Sequence, residues 1–216
     1  QTVNVTTTDD DIPGFTIVES DGSTEVDESG TTDTFTIVLD AQPTSNVVLT
    51  ITSDDTGETT VPASATFTSA NWNTPQTITA TGINDGTLID GNQDTNVIVS
   101  VDDANSDNGF DSLEDQIVVV TTTDDDIPEF TVTETNGSTA VAESGTTDTF
   151  TVVLDAQPET NVVMDIVSSD STETSVTSSL TFTTSDWNTP QTVTVTGVDD
   201  YLIDGTVTSP ITVSIN

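Results

Sequence analysis

The chain has 216 residues, 38 of them Asp or Glu, and no Lys, Arg, His or Cys, giving a formal net charge of −38. That inventory excludes Ser–His–Asp and Cys–His catalysis, His-ligated zinc and Schiff-base chemistry. It also excludes nucleic acid and an anionic membrane surface as direct partners, because both are held by protein cations.

In chain order, residues 1–8 alternate around Val3 and Val5 and read as a strand that runs into Asp9-Asp10-Asp11. A Glu28-Ser29-Gly30 turn precedes a strand over 35–39, and further strands are expected over 47–51, 76–81 and 97–101. In each, Val, Ile and Phe alternate with Thr, the period-two pattern of a half-buried strand, and Gly, Asp, Asn and Pro punctuate the gaps. Residues 69–73 have room for one short turn, and no segment carries a helical apolar stripe. Leu, Ile, Val and Phe make up a quarter of the chain, above the ~20% that marks disorder, and β-branched residues dominate. No apolar run reaches the ~18 residues of a spanning helix and no leader pattern is visible, so membrane insertion is not expected.

The series then repeats. Thr6-Thr7-Thr8-Asp9-Asp10-Asp11-Ile12-Pro13 returns at residues 121–128, an offset of 115 (121 minus 6). The segments at 28–36, 38–43 and 72–77 return at the same offset as 143–151, 153–158 and 187–192. The expected layout is a closing strand of a preceding repeat, or a donor strand, at 1–8, followed by one repeat at 9–123 and a second at 124–216. The second has no counterpart of 103–116 or of the closing strand that follows. This is the pattern of a fragment of a longer array, or of a chain whose second domain takes its last strand from a neighbour. About seven strands in ~110 residues predicts an all-β fold of two tandem immunoglobulin-like antiparallel sandwiches. Trp72 and Trp187 are expected to plug the ends of the two cores; stacking on a sugar is the alternative use.

The acids cluster. Asp9-Asp10-Asp11 and Asp124-Asp125-Asp126 each place three like charges directly after a strand. Unit charges ~6 Å apart in water repel by roughly 0.7 kcal/mol before screening, and no side chain of this protein can offset it. Other acids gather at strand ends: Glu28 and Glu143; Asp54, Asp55 and Glu58, matched by Asp170 and Glu173; and the turn Asp85 to Asp90, matched by Asp199, Asp200 and Asp204. Asp33, Asp40, Asp107 and Asp111 read as solvated coat. A hard divalent cation with oxygen ligands, Ca2+ above all, suits the clusters, although no EF-hand loop is present.

Each copy resembles a Calx-β domain, the immunoglobulin-like module of sodium–calcium exchangers that recurs in large bacterial surface proteins. The residues that carry the resemblance are Asp9-Asp10-Asp11-Ile12-Pro13-Gly14-Phe15, Glu28-Ser29-Gly30, Phe35-Thr36-Ile37-Val38-Leu39, the acidic turn, and the closing Thr121-Thr122-Thr123-Asp124-Asp125-Asp126. It spans essentially all of copy one and most of copy two. The resemblance implies Ca2+ ligands Glu28, Asp55, Asp85, Asp90, Asp124, Asp125 and Asp126 in copy one, and Glu143, Asp170, Asp199, Asp200 and Asp204 in copy two. Two departures stand out: copy one has Asn84 where copy two has Asp199, with one more residue in the turn, and copy two has no acid run of its own to close its site. Asp9, Asp10 and Asp11 of a neighbour, or a following repeat, would supply it.

The function expected is a calcium-binding structural repeat of a secreted or surface-displayed bacterial adhesin, matrix or filament protein, with Ca2+ stiffening the domain junctions and no enzymatic activity. Neighbouring repeats or identical subunits, arranged head to tail, are the expected partners. Absence of Cys fits an array rigidified by metal. Four other readings compete. A carbohydrate-binding sandwich would use Ca2+ as a structural or bridging ion and take glycans or cell-surface ligands. A fibre subunit would assemble by strand donation. A carboxylate-pair glycosidase needs only Asp and Glu, but no cleft-forming insertion is visible. Ice or mineral binding by the Thr-rich faces completes the set.

Overall fold

The structure is a computed structural model of the chain, and it describes residues 1–203 and 205–216. Asp204, one of the expected ligands, lies outside the described residues. The chain divides into two compact units: unit 1 is Gln1–Asp85 with Gly91–Asp125, and unit 2 is Gly86–Asp90 with Asp126–Asn216. The excursion 86–90, from the acidic turn of copy one, thus belongs with the second unit.

The strands of copy one are β1 (Phe15–Glu19), β2 (Thr24–Asp27), β3 (Thr32–Leu39), β4 (Val47–Ser53), β5 (Thr59–Thr60), β6 (Ser64–Phe67), β7 (Gln76–Gly82), β8 (Leu88–Ile89), β9 (Gln93–Val101) and β10 (Gln116–Thr123). Unit 1 is a sandwich of two sheets, β1-β3-β7-β5 and β2-β10-β9-β4-β6. Alternation decides which face turns inward. In β3, Phe35, Ile37 and Leu39 are buried while Thr36 and Val38 between them keep part of their surface in water. Phe35, Ile37, Leu49, Phe67, Val97, Val99 and Val120 meet in one core drawn from both sheets, each stabilising the fold by about 1.5–3 kcal/mol. Within these two sheets the pairings are antiparallel except β2 with β10, where Thr24–Asp27 runs parallel to Val120 through Thr123. Trp72 packs half-buried against this core and Trp187 against that of unit 2, the plugging role expected of both.

Copy two supplies β11 (Phe130–Glu134), β12 (Thr147–Leu154), β13 (Gln157–Pro158), β14 (Val162–Ser168), β15 (Thr174–Val176), β16 (Ser179–Phe182), β17 (Gln191–Gly197) and β18 (Ile211–Ile215). Its first sheet, β11-β12-β17-β15, repeats that of unit 1 strand for strand, down to the facing of Phe150 by Val193 where Phe35 faces Ile78. Its second sheet has three strands, β16-β14-β18, and among the described residues β18 pairs with β14 alone. Residues 139–142, the counterpart of β2, form no strand. β13 pairs in parallel with β8 over two residues, Gln157 with Leu88 and Pro158 with Ile89, and the Gln157 amide donates to the Thr87 carbonyl at 2.5 Å. The fold class is the one expected: all-β, with immunoglobulin-like sandwiches. No helix among the described residues is long and apolar enough to cross a membrane.

Candidate metal centre

One end of unit 1 collects acids from four segments. The first is the turn after β2. The Asp27 amide donates to Thr31 Oγ1 at 2.7 Å, and the Gly30 amide donates back to the Asp27 carbonyl at 3.0 Å. Gly30 sits at φ +90°, a left-handed conformation that a side chain resists, which is why the tight Glu28-Ser29-Gly30 turn ends on glycine. The turn is tied to the end of β10, since the Glu28 amide donates to the Thr123 carbonyl at 3.1 Å. Thr123 Oγ1 also donates to Asp27 Oδ2 at 3.1 Å. The outcome is a carboxylate with 1% of its surface exposed, Glu28.

The second segment is the loop into β5. Asp55 accepts from the Gly57 amide at 2.9 Å and shapes the loop, while Asp54 accepts from the Asn96 amide and side chain, both at 2.8 Å. The loop turns Glu58 inward to 9% exposure. Two contacts hold it there: the Ile83 amide donates to the Glu58 carbonyl at 2.9 Å, and the hydroxyls of Thr59 and Thr122 meet at 2.9 Å in the interior.

The third segment is the turn after β7, which carries Asp85. A Cβ on Gly82 would collide with the Asp27 carbonyl, so only glycine lets the end of β7 lie this close to the Glu28 turn. Glu28 and Asp85 have carboxylate oxygens within 4.8 Å of each other, and so have Glu58 and Asp85. The fourth is the end of β10, where Asp124 accepts from the Gly91 amide at 2.9 Å and Asp125 is exposed. Asp90 and Asp126, counted with unit 2, are half-buried, each with one carboxylate oxygen closed off from solvent.

Within unit 1, Asp85 is thus paired with Glu28 on one side and with Glu58 on another. Glu28 and Asp85 are among the expected ligands. Glu58 is not, although it stands in the same acidic cluster as Asp55; Asp55 itself is spent on its own loop. Oxygens that share one Ca2+ at 2.3–2.6 Å stand no more than about 5 Å apart, so the spacing of these carboxylates and their hard oxygen chemistry fit that ion.

The other expected ligands fall elsewhere. Asp9, Asp10 and Asp11 are exposed, and the Asp11 amide donates to Asp9 Oδ1 at 3.2 Å. In unit 2, Glu143 is half-buried, not buried like Glu28. Asp170 accepts from the Thr172 hydroxyl and amide, and the first of these is the main cause holding its carboxyl below the ordinary value. Asp199 and Asp200 accept from the Tyr201 and Leu202 amides at 3.0 and 2.8 Å. Among the described residues, no three carboxylates lying wholly within unit 2 come together as a group.

No protein-family model matches the chain, and no curated protein matches it. Solved structures offer distant likenesses. The calcium binding domain CBD12 of CALX1.1 shares 11% identity at a TM-score of 0.33, covering 92% of this chain and 80% of its own. CBD12 from CALX1.2 shares 13% identity at 0.32, covering 92% and 79%. Domains 5–6 of the S-layer protein SbsC share 16% identity at 0.33, covering 94% and 97%. Likeness at this level assigns neither a family nor a function.

Proposed function

We infer that the chain is a calcium-binding structural repeat of the Calx-β kind, part of a secreted or surface-displayed bacterial adhesin, matrix or filament protein. The observation that carries this is Glu28: a carboxylate 1% exposed, beside Asp85, in a chain without one cationic side chain. Burying an ionised carboxylate costs several kcal/mol unless a positive charge accompanies it, and no side chain of this protein supplies one. Asp85 with Glu28, or Asp85 with Glu58, would hold an ion; Asp124 and Asp125 close the same end of unit 1. Ca2+ suits such a set better than Mg2+, which demands near-ideal octahedral geometry and gives up its waters reluctantly.

The same reading gives the ion a mechanical role. Asp124-Asp125-Asp126 is the covalent passage from unit 1, which ends at Asp125, into unit 2, which resumes at Asp126. Neutralising this run removes the repulsion that favours an open, flexing linker, and successive repeats stiffen.

Thermal unfolding in Ca2+, Mg2+ and EDTA, with small-angle scattering on the same samples, tests it. Ca2+ at a hundred times its dissociation constant should stabilise by about 2.7 kcal/mol and lengthen the particle. Equal, small effects of Ca2+ and Mg2+ would reduce the clusters to a screened acidic coat and overturn the reading.

A further inference from the structure

The first sheet of each unit turns to water a face laid with threonine and free of charge. In unit 1 the register sets Thr81 opposite Thr32, Thr79 opposite Thr34 and Thr77 opposite Thr36, on the side away from the buried Phe35, Ile37, Ile78 and Ala80. Thr60 extends the first of these rows onto β5, and Val18 extends the third onto β1. Unit 2 repeats the rows on the matching strands: Thr196 opposite Thr147, Thr194 opposite Thr149 and Thr192 opposite Thr151. Ser175 and Thr133 stand where unit 1 has Thr60 and Val18.

Thr is a good strand former, and an exposed Thr taken alone reflects that preference. The lack of charge is the informative part. The chain has 38 acids, and it places some of them at outward strand positions of the second sheets: Glu25 and Asp94 in unit 1, Asp165 in unit 2. None stands at the paired threonine positions. The acids inside these strands, Glu19, Asp33, Glu134 and Asp148, fall on the alternate positions, opposite Phe35, Ala80, Phe150 and Val195. The rows end at Asp40 and Asp155, which accept from the hydroxyls of Thr16 and Thr131 at 2.8 and 2.9 Å.

The ligand such a face suits is neutral and extended. The rows carry no aromatic ring on which a sugar could stack. A mineral lattice would be met through its cations by carboxylates, and those are kept off the face. A second copy would bring a further net charge of −38 against the first. What the rows offer is a lattice. Neighbouring strands stand about 4.8 Å apart, and alternate residues along a strand about 6.7 Å apart. These two repeats lie close to the oxygen repeats on a prism face of hexagonal ice. Each lattice point presents one hydroxyl, which holds a water molecule, and one methyl, which excludes water beside it. The β-branched side chain has few χ1 states to lose, so the array is ordered before it meets a surface. Sheet twist of roughly 20–25° per strand confines any such match to a few strands. The complete threonine columns, β3 with β7 and β12 with β17, are two strands wide.

We propose that the threonine rows on the β1-β3-β7-β5 sheet of unit 1 and on the β11-β12-β17-β15 sheet of unit 2 are ice-binding faces. Each adsorbs to ice through water molecules that the hydroxyls hold in register. The proposal draws on strand positions alone and does not use the carboxylates assigned to Ca2+.

The test is uptake of the whole chain into slowly growing ice, read from the tryptophan absorbance of the melted ice fraction, with freezing hysteresis measured on the same samples. The parent should be taken up and should depress the freezing point below the melting point. Thr77→Tyr with Thr79→Tyr places two rings in the rows of unit 1, and Thr192→Tyr with Thr194→Tyr does so in unit 2; all four positions are exposed. Together the four changes should lower uptake by about tenfold or more, and either pair alone should fall between. Ser64→Tyr with Thr66→Tyr and Ser179→Tyr with Thr181→Tyr put equal bulk on exposed positions of the second sheets and should leave uptake at the parent level. All of these positions lie outside the two cores, so unchanged circular dichroism shows that the fold survives. Exclusion of the parent from ice, or an equal loss from changes in the second sheets, would overturn the proposal. So would self-association in sedimentation that the row variants abolish, which would give the face to a second copy.

Discussion

Units 1 and 2 run nearly the same sequence through β2 and its counterpart, Ser23-Thr24-Glu25-Val26-Asp27-Glu28-Ser29-Gly30 against Ser138-Thr139-Ala140-Val141-Ala142-Glu143-Ser144-Gly145. Only the first makes a strand, and only the first buries its glutamate. The difference lies in the partner: β10 pairs with β2, whereas among the described residues no strand pairs with residues 139–142. A strand at the edge of a sheet owes its existence to cross-strand pairing, and the buried carboxylate follows, because the turn carrying it hangs from that pairing.

The largest test of this contrast is Val120→Asp. Val120 is fully buried in β10, and a charge there should cost several kcal/mol. Hydrogen exchange should show the β2 amides losing protection until they match residues 139–142. Persistent protection of β2 would mean that it stands by its own sequence and that the two units differ for another reason.

A smaller effect separates two matched glycines. A Cβ on Gly82 would strike the Asp27 carbonyl, and one on Gly197 the Ala142 carbonyl. Overpacking of this kind costs about 1–3 kcal/mol. Asp27 is held by β2, whereas Ala142 lies in an unpaired segment that can yield, so Gly82→Ala should lower its unit's melting temperature more than Gly197→Ala does. Trp72 and Trp187, each retained alone with the other changed to Phe, report the two transitions. Equal losses would show the two turns to be equally rigid.

The smallest is a pH effect confined to unit 1. The Thr44 hydroxyl, with the amides of Gly109, Ser45 and Thr44, holds the Asp107 carboxyl far below its ordinary value. A depressed folded-state value gives stability that is complete above the ordinary carboxylate range and is lost as pH falls through the folded one. The advantage of the parent over Asp107→Asn should therefore be constant above about pH 4 and shrink below it. Asp107 lies in unit 1 and Trp187 in unit 2, so the Trp187 signal should not change. An advantage that grew on acidification would reverse the assignment.

Much of this architecture is legible in the sequence because it is periodic or repeated. The alternation of Phe35, Ile37 and Leu39 with Thr36 and Val38 specifies a half-buried strand without reference to anything else, and the offset of 115 specifies two copies. Features set by distant pairing are not legible. Asp55 and Glu58 share one short loop, and which of them turns inward depends on where β5 meets β7, Thr59 opposite Gly82, with Ile83 bonded to Glu58. The two-residue pairing of β8 with β13 has no periodicity to betray it, and it takes residues 86–90 out of the copy that encodes them. The acidic clusters are visible as clusters; their division into loop caps, such as Asp54 and Asp170, and gathered carboxylates, such as Glu28 and Glu58, is a tertiary property.

The most direct test of the central claim, that buried carboxylates of unit 1 seat Ca2+, is a calorimetric titration of the parent chain and of Glu28→Gln with Ca2+ and Mg2+. The account predicts saturable Ca2+ binding to the parent that Mg2+ does not reproduce, and at least about tenfold weaker binding, 1.4 kcal/mol, in Glu28→Gln with its fold intact. Unchanged Ca2+ affinity in Glu28→Gln would mean that Glu28 is buried as a neutral acid and would contradict the account.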